Sequence, residues 1–347
     1  MVRLSEIVAY GLVLLLVLGV SQPASARSVP LLSPPTAQSE QADQPEAPTG
    51  LPAHAQQVIS SSLADANPQI RANAAEVVAA TRSLRLMPQV HKLLADEVVP
   101  VRFAATLAVG DLAYGAAKND IIRLLNDPNP NIQIAASYAI SRLGNPEYYK
   151  VLCDATASED QTVRANATLL LGKSGRQDGL PVLYGTLQRT DSTDKVILQA
   201  AESLAMLKDR RIYPRLWTRL ISAYADDRVI GIRAMGTLGT EEARSALVTM
   251  LDDPVPEVRL VAAEHLGKLG DPVGEQTVLE ILKRDPSADA DAQSRERIQM
   301  LTALAIGEIG TPAVTKRLPA LLKDSSKVVR LAAAKGVLRA ASKRSRS

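Results

Sequence analysis

Aromatic side chains make up only 3% of this 347-residue chain: eight Tyr, one Trp and one Phe. A core built on a few large aromatic anchors is therefore excluded, and packing must come from many small contacts. Cysteine occurs once, as Cys153, so no intramolecular disulfide can form in any compartment. Its neighbours Val151 and Leu152 mark it as a small buried residue, since a reactive thiol wants a basic, open setting. The three histidines, His54, His91 and His265, do not readily make a zinc site with that single thiol. No segment sustains period-two alternation with β-branched residues, which argues against strands. No Walker-type phosphate loop and no nucleophile elbow occur. Gly172-Lys173-Ser174 resembles the end of a phosphate loop but has no strand upstream. Neither sign of charge dominates: 40 Lys and Arg face 37 Asp and Glu, with 46% hydrophobic residues, as in an ordinary soluble protein.

The longest apolar run stands at the start. Arg3 is followed by 14 uninterrupted apolar or small residues, Ile7 to Val20, and then by Ala24-Ser25-Ala26. That order reads as a secretory signal peptide over 1–26, because a membrane anchor usually needs ~20 apolar residues. Residues 27–51 are rich in Pro, Ser, Gln and Ala and carry too little apolar surface to offset the entropy of ordering, so they read as a disordered tether. The expectation is an exported protein, periplasmic or extracellular, with no stable membrane span after cleavage. Residues 52–342 are periodic, and 343–347 form a short basic tail.

The period is clearest at Asp252 to Gly270. Asp253 and Pro254 read as a helix start, Val258, Ala262, Leu266 and Leu269 as one apolar stripe, and Gly270 as the stop. One such helix is too short to be stable alone in water. The pattern recurs. With Val258-Arg259 as marker, equivalent pairs stand at Ile70-Arg71, Val101-Arg102, Ile132-Gln133, Val163-Arg164, Val196-Ile197, Ile230-Gly231, Ile298-Gln299 and Val329-Arg330. The steps are 31, 31, 31, 33, 34, 28, 40 and 31 residues. A fixed period of this length means stacked supersecondary units. Nine residues after the first marker residue, Gly110, Gly172, Gly239, Gly267 and Gly307 recur. Each marker helix follows another apolar segment, such as Ile121 to Leu125, so each unit is an outer helix, a turn and an inner helix. Pro88, Pro181, Pro214 and Pro319 fall near outer-helix starts, where proline is tolerated. The 40-residue step holds an acidic insert, Arg284 to Asp291, that lacks the glycine and glutamate of an EF-hand loop.

These units resemble HEAT repeats, in the short bacterial form called phycobilisome-lyase HEAT-like. The resemblance covers about five-sixths of the chain and implies an all-α, right-handed α-solenoid of about nine HEAT-like helix pairs. It also implies a ladder between adjacent repeats, formed by an aspartate six residues before an arginine: Asp65 and Arg71, Asp96 and Arg102, Asp253 and Arg259, Asp324 and Arg330. The third to sixth repeats and the eighth lack one or both members, so the ladder is expected to break in the middle. Two enzyme groups share the repeat. Deoxyhypusine hydroxylases hold two irons with His-Glu pairs, and this chain has no His-Glu dipeptide. Phycobilin lyases act inside the cell, which an exported chain would not.

Two surfaces stand out. Six residues after the first marker residue, Leu107, Tyr138 and Leu169 fall in consecutive repeats, bordered by Glu76 and Glu202. They read as a partner-binding strip on the concave face or, if the helical phase is off by one, as core. Arg211, Arg215 and Arg219 lie four apart beside Trp217, either a basic-aromatic patch or one solvated helix face. The reading is a non-enzymatic scaffold or binding module for a protein or peptide, monomeric alone, with no cofactor and no nucleic acid. The alternative is a HEAT-like enzyme of the bilin lyase or oxidoreductase type.

Overall fold

The computed structural model of the chain describes residues 50–284 and 291–344. The expected signal peptide, nearly all of the tether, residues 285–290 of the acidic insert and the last three residues lie outside this range. Among the described residues all regular structure is helical. In chain order the helices are α1 (Leu51–Ser62), α2 (Pro68–Thr81), α3 (Met87–Lys92), α4 (Val99–Leu112), α5 (Lys118–Leu124), α6 (Pro130–Arg142), α7 (Tyr149–Ala155), α8 (Gln161–Ser174), α9 (Leu180–Gln188), α10 (Asp194–Met206), α11 (Tyr213–Leu220), α12 (Ala225–Leu238), α13 (Glu241–Thr249), α14 (Pro256–Lys268), α15 (Glu275–Arg284), α16 (Ala292–Ile309), α17 (Pro312–Thr315), α18 (Leu318–Leu321) and α19 (Lys327–Arg344). The fold is an α-solenoid of nine described helix pairs. The inner helices are α2, α4, α6, α8, α10, α12, α14, α16 and α19.

Helix ends follow local chemistry. Asn67, Asn129, Asp160 and Asp291 cap inner helices by accepting hydrogen bonds from first-turn N–H groups. Pro88, Pro181, Pro214 and Pro319 sit in the first turns of α3, α9, α11 and α18, as their positions predict. In the seventh repeat the helix starts later than expected. Asp253 and Pro254 precede it, Pro256 is its first residue, and Asp253 accepts from the Val255 N–H instead.

Positive-φ residues at inner-helix ends set the register: Arg82, Ala113, Gly144, Gly175, Lys208, Gly239, Gly270 and Gly310. Each stands 11 residues after the ladder position of its repeat (82 − 71, 113 − 102, and so on). Gly239 points back to Arg228, since 239 − 228 is also 11, and not to Gly231. The sixth repeat was therefore placed three residues late by its Ile230-Gly231 marker. With Arg228 as reference, the steps of 34 and 28 become 31 and 31 (228 − 197 and 259 − 228). Gly236, rather than Gly239, then joins Gly110, Gly172, Gly267 and Gly307. These glycines let neighbouring inner helices touch: a Cβ on Gly172 would lie 2.7 Å from the Ser203 Cα.

The ladder crosses between repeats through two-sided guanidinium groups. Arg71 donates to the Asp65 carbonyl in its own turn and, through Nε and Nη2, to both Asp96 oxygens at 2.8 and 2.9 Å. Arg102 repeats this with the Asp96 carbonyl and Asp127. Gln133 keeps only the inward half, to the Asp127 carbonyl. Arg164, 1% exposed, reaches the Ser158 carbonyl and Asp191. Arg228 takes the Ser222 carbonyl and both Asp253 oxygens at 2.6 and 2.9 Å. In the middle of the chain the expected break thus shrinks to the bridges missing at Gln133 and Ile197. Arg259 and Arg330 bond to the carbonyls of Asp253 and Asp324, so the carboxylate of Asp253 belongs to Arg228 and not to Arg259.

The solenoid does not end in free caps. Outer helices such as α7, α13 and α15 lie in the groove between their own inner helix and the preceding one, and α1 lies between α2 and α19, the last inner helix. Lys327 of α19, three residues before the ladder arginine Arg330, pairs with Asp65 of the first repeat at 2.7 Å. The first and last repeats therefore meet, and the nine inner helices form a closed ring. Helix α19 also runs to Arg344, so Lys343, expected in a frayed tail, is fixed instead: its ammonium donates to the carbonyls of Gly267 and Glu308.

The rungs predict an order of stabilities. Arg228→Ala leaves Asp253, 4% exposed at its side chain, without its bidentate partner and should cost about 3 kcal/mol. Arg215→Ala, on an exposed outer face, should cost under about 1 kcal/mol. Denaturant midpoints should rank Arg228→Ala below Arg259→Ala and Arg259→Ala below Arg215→Ala. Equal midpoints with equal slopes would remove the two-sided role of Arg228.

Candidate functional site: a closed hub and an outer groove

Ring closure decides the fate of the expected concave strip. Tyr138 and Leu169 are each 1% exposed, and Leu107 is half-buried. They are core and not an exposed partner surface. The physical reason is that a solenoid whose ends meet turns its concave face into an interior. The Tyr138 hydroxyl donates to Asp111 at 2.7 Å, and Lys173 reaches the other Asp111 oxygen at 2.9 Å, tying the second, third and fourth repeats together. Burial and the neighbouring Asp111 push the Tyr138 phenol above its usual range.

Glu76 and Glu202, the expected rim, stand in the same hub. With the register corrected, the equivalent residue of the sixth repeat is Arg233 rather than Gly236. Glu76, Glu202, Arg233, Glu264 and Lys335 then come from the first, fifth, sixth, seventh and ninth repeats. Arg233 lies within electrostatic reach of Glu264, Glu202 and Glu76, and Lys335 within reach of Glu264 and Glu76. Burial would raise the Glu264 carboxyl, but the surrounding cations, Lys268 first and then Lys335, outweigh it and hold it at about 2. Lys268 contacts it at 2.7 Å. Burial raises the Glu202 carboxyl and lowers Lys335. Sequence reasoning missed Arg233 because the register error hid it. The anomalous 28-residue step was the available signal.

His265 is buried beside this hub, and a Cβ on Gly236 would lie 2.7 Å from its own Cβ. Burial, then Lys268, lowers its pKa well below the usual value, so the ring stays neutral in the fold. Below about pH 6.5 the unfolded chain takes up a proton there that the folded chain does not, so this group's contribution to stability falls as pH falls.

On the outside, a groove of 840 Å³ opens between α3 and α5. Its apolar floor includes Pro88, Leu94, Leu124 and Pro128, and Tyr114 closes one wall. His91 meets Asp120 at 2.7 Å (Nε2 to Oδ2) and lies edge-on to Tyr114, with centroids 6.1 Å apart. Arg123 contacts the other Asp120 oxygen. The hydrogen bond from His91 holds the Asp120 carboxyl below its ordinary range, with Arg123 assisting. The ladder rung on this wall, Arg102 to Asp127, is looser than its equivalents, at 3.3 Å. This is an apolar slot with paired charges at its lip, the general form of a binding site.

The expected basic-aromatic patch divides. Arg211 is taken by Asp209 and lies over the Tyr184 ring, and Arg219 is taken by Asp227. Arg215 and Trp217 are exposed, and Trp217 stacks on Tyr213. Cys153 is free and half-buried. Among the described residues, no group of three or more His, Cys, Asp or Glu side chains is placed to hold a metal ion.

A family model for HEAT repeats matches the chain over residues 101–161, 149–229 and 214–296. The chain belongs to the HEAT-repeat family. The HEAT ring is similar to human deoxyhypusine hydroxylase in complex with glycerol, at 18% identity and TM-score 0.37 over 76% of this chain and 99% of that one. It is similar to the CpcE–CpcF complex of phycocyanin lyase from Nostoc sp. PCC7120, at 18% identity and TM-score 0.43 over 77% and 98%. A third similarity is to the karyopherin Kap121p bound to the extreme C-terminus of the protein phosphatase Cdc14p, at 13% identity and TM-score 0.34 over 84% and 38%. No curated protein matches the chain. None of these similarities assigns chemistry to a residue of the HEAT ring.

Two outcomes follow for the hub. Tyr138→Ala with Leu169→Ser should lower stability by at least about 3 kcal/mol, as removal of two core side chains does; a melting temperature near wild type would return them to the surface. Between pH 7 and 5.5, wild type should lose roughly 1 kcal/mol through His265, and His265→Asn should lose less over the same interval. Parallel pH profiles would show that His265 titrates in the fold.

Proposed function

We propose that this HEAT ring is an exported, non-enzymatic binding module for a protein or peptide, and that the partner lies in the outer groove between α3 and α5. The groove itself carries the reading: 840 Å³ with an apolar floor is room for several side chains of an extended segment. The closed hub supports it from the other side, because the surface that open solenoids use is filled here by Tyr138, Leu169 and Leu304. Lys92 and Arg123 at the lip, with Glu97 opposite, would set the partner's register, while Tyr114 and Leu124 would bury its apolar residue.

The test is capture from the exported fraction, where N-terminal sequencing should also find the mature chain starting near Arg27. Lys92→Glu with Arg123→Glu, both at exposed positions, should reduce capture about tenfold, roughly 1.4 kcal/mol. Lys283→Glu, exposed and remote from the groove, should leave it unchanged. Equal capture by both variants would remove the groove as the site.

A further inference from the structure

A second groove lies on the seam of the ring. Leu51 and Pro52 of α1 form one side, Pro312 and Leu318 of α17 and α18 another, and Val337 and Ala341 of α19 the third. Leu318 and Val337 are buried at its floor, and Pro52 and Pro312 are exposed at its rim. Its volume is 360 Å³. An apolar cavity of ~150 Å³ holds a molecule the size of benzene, so this groove has room for about two branched side chains. The ion pair of Lys327 with Asp65 holds the seam at the start of α19. The groove opens at the other end of that helix, where no such pair stands among the described residues.

The chain enters the described structure at this groove, since Leu51 and Pro52 are both the first residues of α1 and part of the lining. Gly50, just before them, takes φ +95°, a turn that glycine makes without strain. Between Arg27 and Gly50 large aliphatic residues occur in one cluster alone, Val29, Leu31 and Leu32. Leu32 precedes Leu51 by 19 residues (51 − 32), enough chain to turn back, and loop closure costs little more at that length than at a shorter one. Tethering keeps the cluster near the groove at an effective concentration on the order of millimolar, which a free partner would have to match. Pro30, Pro34 and Pro35 fix φ in advance and reduce the freedom lost on docking. The residues between, 33–49, carry Glu40, Asp43 and Glu46 and no base. Facing them, the one charged residue of the groove lining is Lys316, with Arg317 exposed next to it in the chain. The acid tied to this rim, Glu275, accepts from the Thr311 hydroxyl.

We propose that the Val29–Leu32 cluster docks in this groove and clasps the seam. Two of its three aliphatic side chains share a side at strand spacing (Val29 and Leu31) or at polyproline spacing (Val29 and Leu32), which matches the room available. The docked segment touches α1 of the first repeat and α18 and α19 of the last, so it joins the two ends of the ring. The clasp is independent of the groove between α3 and α5 and of whether the expected signal peptide is removed.

Disulfide trapping in the full chain tests it. In a Cys153→Ser background, Ala341→Cys is combined with Ser33→Cys or with Ser39→Cys, and intramolecular disulfide formation is followed in a glutathione buffer. Ser39 is the nearer to Gly50, so an undocked chain would cross-link it at least as fast. The expected result is trapping at least about tenfold faster from Ser33→Cys. Val29→Ser with Leu31→Ser and Leu32→Ser should remove that lead, and Pro312→Glu at the exposed rim should reduce it, both with unchanged helix content. In the triple-serine variant, amide exchange should speed up about tenfold in α1 and α18 and stay as in wild type in α8. Equal trapping from Ser33→Cys and Ser39→Cys overturns the proposal. A lead that survives the three serine substitutions overturns it as well. Disulfides formed between chains, increasing with protein concentration, overturn the clasp and put a second copy in the groove.

Discussion

A guanidinium group that bonds in two directions underlies this architecture. Arg71, Arg102, Arg164 and Arg228 each satisfy a carbonyl in the turn of their own repeat and a carboxylate in the next. The first bond closes the turn that precedes the inner helix. The second sets how far and at what angle the next repeat sits. Planar, bidentate geometry makes arginine suited to this and lysine a poor substitute. Gln133 shows the consequence: it keeps the turn and loses the bridge. At the seam Lys327 supplies a single contact to Asp65, and packing of α1 against α19 does the rest.

Closure changes what the repeats need. An open solenoid spends its terminal repeats as caps with polar outer faces. Here α1 takes the place against α19 that α7, α13 and α15 take against their preceding inner helices, so the last inner helix is not left with a bare flank. The cost appears at the hub, where the half-buried Glu76, Glu202, Arg233 and Lys335 meet the buried Glu264. Buried charges are tolerated only in company. The mixture of three carboxylates and two cations, with Lys268 added to Glu264, meets that condition, whereas a hub of one sign would not. The outer surface offers a slot between α3 and α5.

Much of this was legible in the residues. The proline positions of the outer helices and the 31-residue step are local properties, and each appears where its chemistry predicts; the cap read at Asp253 does not, since that helix begins at Pro256. The sixth repeat was misread because Ile230 resembles the marker valine of other repeats, although Arg228 is the residue that bonds like Arg71. The strip of Leu107, Tyr138 and Leu169 was aligned correctly as one side of three neighbouring helices. Its exposure was misjudged, because variation in size and charge at a repeat position marks an open surface only while the solenoid is open.

By itself, the sequence determined the period, the helix ends, the alternation of outer and inner helices and the small residues at which inner helices touch, since all of these depend on residues within one repeat or its neighbour. Only the tertiary structure decided that the ends meet. Closure depends on the rotation per repeat multiplied over nine repeats, a quantity to which every interface adds a little and which no single motif encodes. The hub follows from it: Glu76 and Arg233 are 157 residues apart (233 − 76) and come within electrostatic reach because the ring brings the first and sixth repeats to face each other across its centre.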